Sequence, residues 1–299
     1  MAQLPACSLG DDRKSGTEPM ELPYLAYFGL KEEPFSTVPS PRFFFLTSTH
    51  STALEKTAYV VGAKKGLAVV FGDTGSGKSS LARLLHEKFV DAGFLCSLLV
   101  NPSSPTPFTL LRTVAQELGA GQRRSFKDTL DGLKEYLWQQ AAVEGRTVVL
   151  IIDEAQTLRG PHLELLRQLI NFETNESKLL QLVLFAQDQL RATLARPALR
   201  NFRSRIVMAS TLEPLTPAEL RSVIAFRWQV ASGGQAHPFT DEAVGAIYEQ
   251  AQGLPREASI LADNALLLAF YRKSPTITAE LVREVAADRQ QNLTGKEAA

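Results

Sequence analysis

The stretch VVFGDTGSGKSS, residues 69–80, decides how the rest of the chain is read. It holds Gly72, Gly77, Lys78 and Ser79 in the spacing G-x-x-x-x-G-K-S, between an apolar run and the amphipathic pattern SSLARLLHEKF. The spacing has a physical reason. Glycines let the backbone curl until successive N–H groups face one anion, and the following helix adds the positive end of its dipole. Gly72, Asp73, Thr74, Gly75, Ser76, Gly77, Lys78, Ser79 and Ser80 are therefore the candidate phosphate cradle. In that chemistry Lys78 reaches the β- and γ-phosphates of a nucleoside triphosphate, and Ser79 ligates its Mg2+.

Outward from this loop, LAVVFG (67–72), FLCSLLV (94–100), TVVLIID (147–153) and LLQLVLFA (179–186) are unbroken apolar runs. Strands covered on both faces of a parallel sheet read this way. Helical patterns at 78–90, 107–118, 126–142 and 161–172 separate them, and a fifth strand is expected over 205–209. The fold class is α/β, a mostly parallel five-stranded sheet flanked by helices. Beyond residue 212 the strand signals stop. Segments 217–231, 240–251, 255–272 and 278–288 have helical periodicity, with Thr216-Pro217, Thr240 and Thr278 as start signals. The expected division is a disordered extension over 1–22, an α/β domain over 23–211, a helical lid over 212–290 and a disordered tail over 291–299. Within the second of these, the Pro- and Phe-rich segment 24–46 is expected to wrap over a neighbouring surface. A helix follows over 48–61, with Ser48 or Thr49 as its cap.

Composition removes other classes. With Lys+Arg 32 against Asp+Glu 32, any nucleic-acid contact must come from a local patch. Cys7 sits in the leader and Cys96 inside an apolar run, so no disulfide framework is expected and a reducing cytoplasm fits. No apolar run reaches the ~18 residues of a membrane span, and the N-terminus lacks the apolar core of a secretory signal. His50, His86, His162 and His237 are scattered without ligand spacing, so each reads as a surface or cap residue.

In TVVLIIDEAQTL, residues 147–158, Asp153 ends an apolar strand, so its carboxylate emerges at the edge where open α/β sheets bind ligands. It is the natural partner of Mg2+. Glu154, next in line, is placed to polarise an attacking water, which points to hydrolysis. These two motifs, their spacing and the helical region behind them resemble the AAA+ ATPases. The opening YFGLKEEPFSTVPSPRFFFLTSTHSTALEKTAYVV, IIDEAQTL, VLFAQDQL, RIVMASTLEPLTPAEL and AQGLPREASILADNALLLA look like the ExeA/GspA-like branch, from about Tyr24 to about Ala287. Transposition ATPases of the TniB/TnsC type share the core arrangement.

The resemblance implies a P-loop AAA+ core with a helical lid, ATP and Mg2+ as ligands, and self-association into a ring or filament with nucleotide at subunit boundaries. It implies that Gln187 senses the γ-phosphate. It also implies that Arg256 in GLPR reaches back from the lid, with Gly253 and Pro255 setting the turn before it. Asn101 stands where relatives couple the residue equivalent to Glu154 to a partner, or else in a simple Asn-Pro turn. The segment RNFRSRI, residues 200–206, lies within 191–210, which holds five arginines and no acid. The resemblance implies that Arg205 reaches a neighbouring subunit's nucleotide, with Arg203 and Arg200 as alternatives; Arg191 and Arg196 read as solvated charge. A contact to duplex DNA competes for the same arginines, with Lys64, Lys65 and helix 126–142 as possible additions.

Three functions stay open: a DNA-associated ATPase that licenses a transposase, a secretion or pilus-assembly ATPase, and a nucleotide-locked scaffold. Relatives in the envelope role commonly continue into a membrane span and a peptidoglycan-binding domain, so the expectation leans toward DNA. The Asp153-Glu154 pair argues against the scaffold.

Overall fold

A computed structural model describes residues 22–294, with side chains through Leu293. Of the expected extension over 1–22, residues 1–21 lie outside the described residues; of the expected disordered tail over 291–299, residues 295–299 lie outside them, whereas 291–294 continue the last helix. The sheet runs β2 (Leu95–Leu99), β3 (Val148–Ile152), β4 (Leu180–Ala186), β1 (Leu67–Gly72), β5 (Ile206–Leu212), and every neighbouring pair is parallel. The strand pleat divides each central strand between two cores. Leu67, Val69, Phe71, Leu150, Ile152, Leu182 and Leu184 join the core under α4 (Pro107–Glu117), α5 (Phe126–Trp138) and α6 (Gly160–Ile170). Val70, Val149, Ile151, Val183 and Phe185 join the core under α2 (Ser48–Gly62) and α3 (Lys78–Asp91). Unbroken apolar runs are what such double burial demands.

The edges differ from expectation. β2 is half-buried over most of its length, because it has one neighbour and less cover. β5 runs to Leu212 rather than ending near 209, paired residue by residue with β1 from Ala68↔Met208 to Gly72↔Leu212. Its burial alternates, so polar residues Ser210 and Thr211 sit in a strand without penalty and hid its end from a hydrophobic-run reading. The helix expected over 126–142 stops at Trp138 and continues as a single π turn, Gln139–Val143. That wider turn points Gln140 inward, where Glu144 accepts from its amide and Arg146 donates to it. Two short helices, α7 (Gln189–Leu194) and α8 (Arg200–Arg203), fill the β4–β5 connection.

The C-terminal helices are α9 (Pro217–Ser232), α10 (Asp241–Ala251), α11 (Pro255–Tyr271) and α12 (Ala279–Thr294). Thr216 and Glu219 form a reciprocal capping box at the start of α9, and Thr240 Oγ1 accepts from Ala243 N–H at the start of α10. The wrapping segment opens with α1 (Pro23–Phe28) and covers these helices: Tyr24, Leu30 and Phe35 are buried in the same core as Trp228, Phe239 and Leu266. Its chain therefore passes from the lid, along the sheet, into α2 and β1. The N-cap position of α2 is Thr47 rather than Ser48 or Thr49, and its hydroxyl turns to a histidine ring instead of a backbone N–H.

Candidate active site

The G-x-x-x-x-G-K-S loop leaves the C-terminal end of β1, between the ends of β4 and β5. Gly75 and Gly77 have φ of +81° and +98°, and a Cβ on either would fall 2.8 Å from Arg256 Cβ or His50 Nε2 respectively. The loop is thus a cradle closed on its outer side, and only glycine fits its bends. Lys78 opens α3 with its ammonium buried, donating to the carbonyls of Gly72 (2.9 Å) and Asp73 (2.7 Å). Burial pushes the Lys78 pKa down, and the Glu154 and Asp153 carboxylates counter part of that. Ser76 Oγ is buried without a hydrogen-bond partner. It packs beside Gly72, where an added Cβ would lie 2.6 Å from it.

At the end of β3, Asp153 is 2% exposed and accepts from Ser79 Oγ at 2.6 Å and from Glu154 N–H at 2.9 Å. Burial raises the Asp153 pKa, and the Ser79 hydroxyl opposes the shift. A hydroxyl and a carboxylate converging at a triphosphate cradle are the donor set that Mg2+ takes from such a loop. Glu154 is held in the left-handed region, φ +56°. Gln156 restrains it: the Gln156 amide donates to Glu154 Oε2 at 2.5 Å and accepts from the Gln187 N–H at 3.1 Å. The strand ends β3 and β4 are tied together through this one side chain.

One cleft is lined by Thr74, Gly75, Gly77, Lys78, Ser79, Ser80, Glu154, Gln187 and Arg256, so most of the expected site residues share it. Arg256, in the first turn of α11, docks on the loop itself through its N–H to the Gly75 carbonyl, 3.2 Å. Arg205 stands elsewhere. It precedes Ile206, which pairs with Leu67 at the start of β1, whereas the loop follows Gly72 at the other end. At about 3.3 Å per residue that separation is roughly 16 Å, so Arg205 cannot serve its own subunit's loop. Arg203 donates to the Leu194 carbonyl at 3.1 Å and closes α7. Arg191, read above as solvated charge, lies 3.8 Å over the Phe71 ring and donates to Asp188 and Thr211. Asn101 Oδ1 accepts from Ser103 N–H, a local turn, while Gln156 holds Glu154.

His50 departs from the surface or cap reading. It is 2% exposed, with Nε2 3.0 Å from the Ser76 carbonyl and its ring edge against Phe44, because the first turn of α2 lies directly on the loop. The sequence reading also missed the inner wall of the cleft. Phe43, Phe44, Phe45, Val223 and Leu215 give it an apolar end, where Arg227 is held by the Ser36 carbonyl (3.0 Å) and Ser259 Oγ (2.5 Å). Burial lowers the Arg227 pKa to about 10. The FFF run was the available signal, since three adjacent aromatics beside prolines do not stay in water.

Residues 62–194 match the family described as an AAA domain. The chain is 35% identical over 257 residues to General secretion pathway protein A of Aeromonas hydrophila, covering 85% of this chain and 46% of that protein. It therefore spans about half the length of that relative. Among solved structures, Drosophila ORC bound to DNA superposes with a TM-score of 0.70 at 16% identity, over 97% of this chain and 73% of that one. The Aeropyrum pernix ORC2 protein gives 0.65 at 16% identity, over 87% and 73%. These likenesses carry the fold. With the loop, the Asp153-Glu154 strand end and the docked Arg256 in place, residues 62–194 match an AAA domain, and over 85% of its length the chain is similar to General secretion pathway protein A.

Proposed function

We propose that the chain binds ATP with Mg2+ between loop and lid, and that binding and hydrolysis switch the state of a macromolecular assembly of which it is part. The observation that carries this reading is the convergence of Lys78, the Ser79–Asp153 pair, Glu154, Gln187 and Arg256 on one cleft. Lys78 exchanges the Gly72 and Asp73 carbonyls for phosphate oxygens, a swap between acceptors that retains its charge in a buried place. Ser79 and Asp153 would hold Mg2+, which when bound neutralises phosphate charge. Glu154, once released by Gln156, orients a water and accepts its proton, with Gln187 beside it. Arg256 adds positive charge from the lid, so closure and phosphate binding favour one another. A second subunit supplies Arg205.

The identity to General secretion pathway protein A favours a role with secretion or pilus components. A DNA-associated, transposition-type role is the second reading, supported by exposed Arg200, Arg203 and Arg205 without a neighbouring acid in sequence. Phosphate release by the wild type and by Glu154→Gln tests the enzyme reading; equal rates in the two would remove Glu154 from the chemistry. ATP-dependent co-sedimentation with duplex DNA at low and high salt separates the two roles, and no binding at low salt sinks the DNA reading.

A further inference from the structure

A phosphate loop binds through its N–H groups, so something must hold each peptide plane with the N–H turned inward. Most of that task falls to the loop's own turns: Ser76 N–H donates to the Asp73 carbonyl at 3.1 Å. The next peptide, Ser76–Gly77, has an anchor from outside. His50 Nε2 lies 3.0 Å from the Ser76 carbonyl oxygen, and His50 Nδ1 lies 2.6 Å from Thr47 Oγ1. These contacts fix the ring's protons. A carbonyl oxygen only accepts, so Nε2 carries the hydrogen, and the bare Nδ1 of the neutral ring accepts from the Thr47 hydroxyl. Burial lowers the His50 pKa, in keeping with a neutral ring.

The consequence follows from peptide geometry. In a trans peptide the C=O and the following N–H point to opposite sides. With the Ser76 oxygen bound to His50, the Gly77 N–H is turned away from the ring, within a cleft that His50, Gly77, Lys78 and Ser79 all line. The ring also lies close on Gly77, where an added Cβ would fall 2.8 Å from Nε2. We infer that His50 is a positioning residue for the nucleotide, which by donating from Nε2 to the Ser76 carbonyl sets the Gly77 N–H toward the phosphates. This rests on the ATP-site reading and adds a residue outside the loop to it. The same turn of α2 is tied to the lid, because Ser48 donates to Glu219, the capping carboxylate of α9.

Isothermal titration with ATP tests the inference. His50→Phe keeps a ring against Phe44 but has no donor, and His50→Gln returns an amide N–H of similar reach. The expectation is that His50→Phe binds ATP about tenfold more weakly, the value of roughly one hydrogen bond. His50→Gln should stay within about threefold of the wild type on the same scale. Wild-type affinity in His50→Phe overturns the inference. So does His50→Gln as weak as His50→Phe when both melt like the wild type, since the ring and not its donor would then matter. If His50→Phe does not fold, Thr47→Val removes only the hydroxyl that selects the tautomer; unchanged ATP affinity there also overturns it. Failure of the wild type itself to bind ATP would instead count against the nucleotide site.

Discussion

Gly75→Ala separates the conformational demand of the phosphate loop from its contact with the lid. Two effects act at this position. A residue with a side chain at φ +81° is strained by about 1–2 kcal/mol. The added Cβ would also lie 2.8 Å from Arg256 Cβ, while carbon pairs rest at roughly 3.5–4.0 Å. Arg256 Cβ is fixed to the backbone of α11, so relief requires that helix to retreat by about 1 Å, which opens the 3.2 Å bond from its N–H to the Gly75 carbonyl. A misplacement of that size near reacting atoms can cost about 100-fold in rate. Gly145→Ala is the matched control, because Gly145 has φ +72° with open space around its Cβ. Both variants should melt lower by a few degrees, roughly the effect of 1 kcal/mol in a chain of this size. Only Gly75→Ala should lose ATP turnover, by at least tenfold. Wild-type turnover in Gly75→Ala, with a melting shift equal to the control, would refute the claim that Arg256 is seated by this loop.

Arg205→Ala should retain ATP affinity within about threefold and lose turnover by 100-fold or more, as expected of an arginine acting on transferring phosphate. Mixing it with Glu154→Gln protein should restore turnover, because the second variant can lend Arg205 to the first; intact turnover in Arg205→Ala alone, with DNA binding lost, would favour the nucleic-acid patch. In the lid, Asp263 accepts from the Tyr24 hydroxyl, and burial raises the Asp263 pKa. A raised carboxyl pKa means stability present below about pH 3.9, the unfolded value, and lost as pH rises through the folded value. Asp263→Asn keeps an acceptor and removes the charge, so it should melt higher than the wild type at pH 7 and by a shrinking margin toward pH 4. A lower melting temperature at pH 7 would show that the charge helps.

Much of the nucleotide site was legible in sequence because its parts are local. The glycine spacing, Lys78, Ser79 and the Asp153-Glu154 pair each sit at the end of an apolar strand, and a parallel sheet brings strand ends together whatever lies between. Gln187 and Arg256 came from resemblance, and both line the cleft. His50, Gln156 and Arg227 were not legible in this way. Each acts through one contact with an element distant in sequence: the loop carbonyl for His50, the β4 end for Gln156, the opening segment for Arg227. Periodicity carries no information about such pairs. The end of β5 was missed for a different reason, since an edge strand with one wet face does not read as an apolar run.

The opening segment bears on how the lid can move. Tyr24, Leu30 and Phe35 belong to the lid's core, yet the chain beyond them enters the α/β layer at α2, and the chain leaves that layer again after Leu212. The lid is therefore joined to the sheet by two covalent connections rather than one. Severing the chain between Ser36 and Thr47 would leave one of these two connections and every residue of the phosphate loop in place.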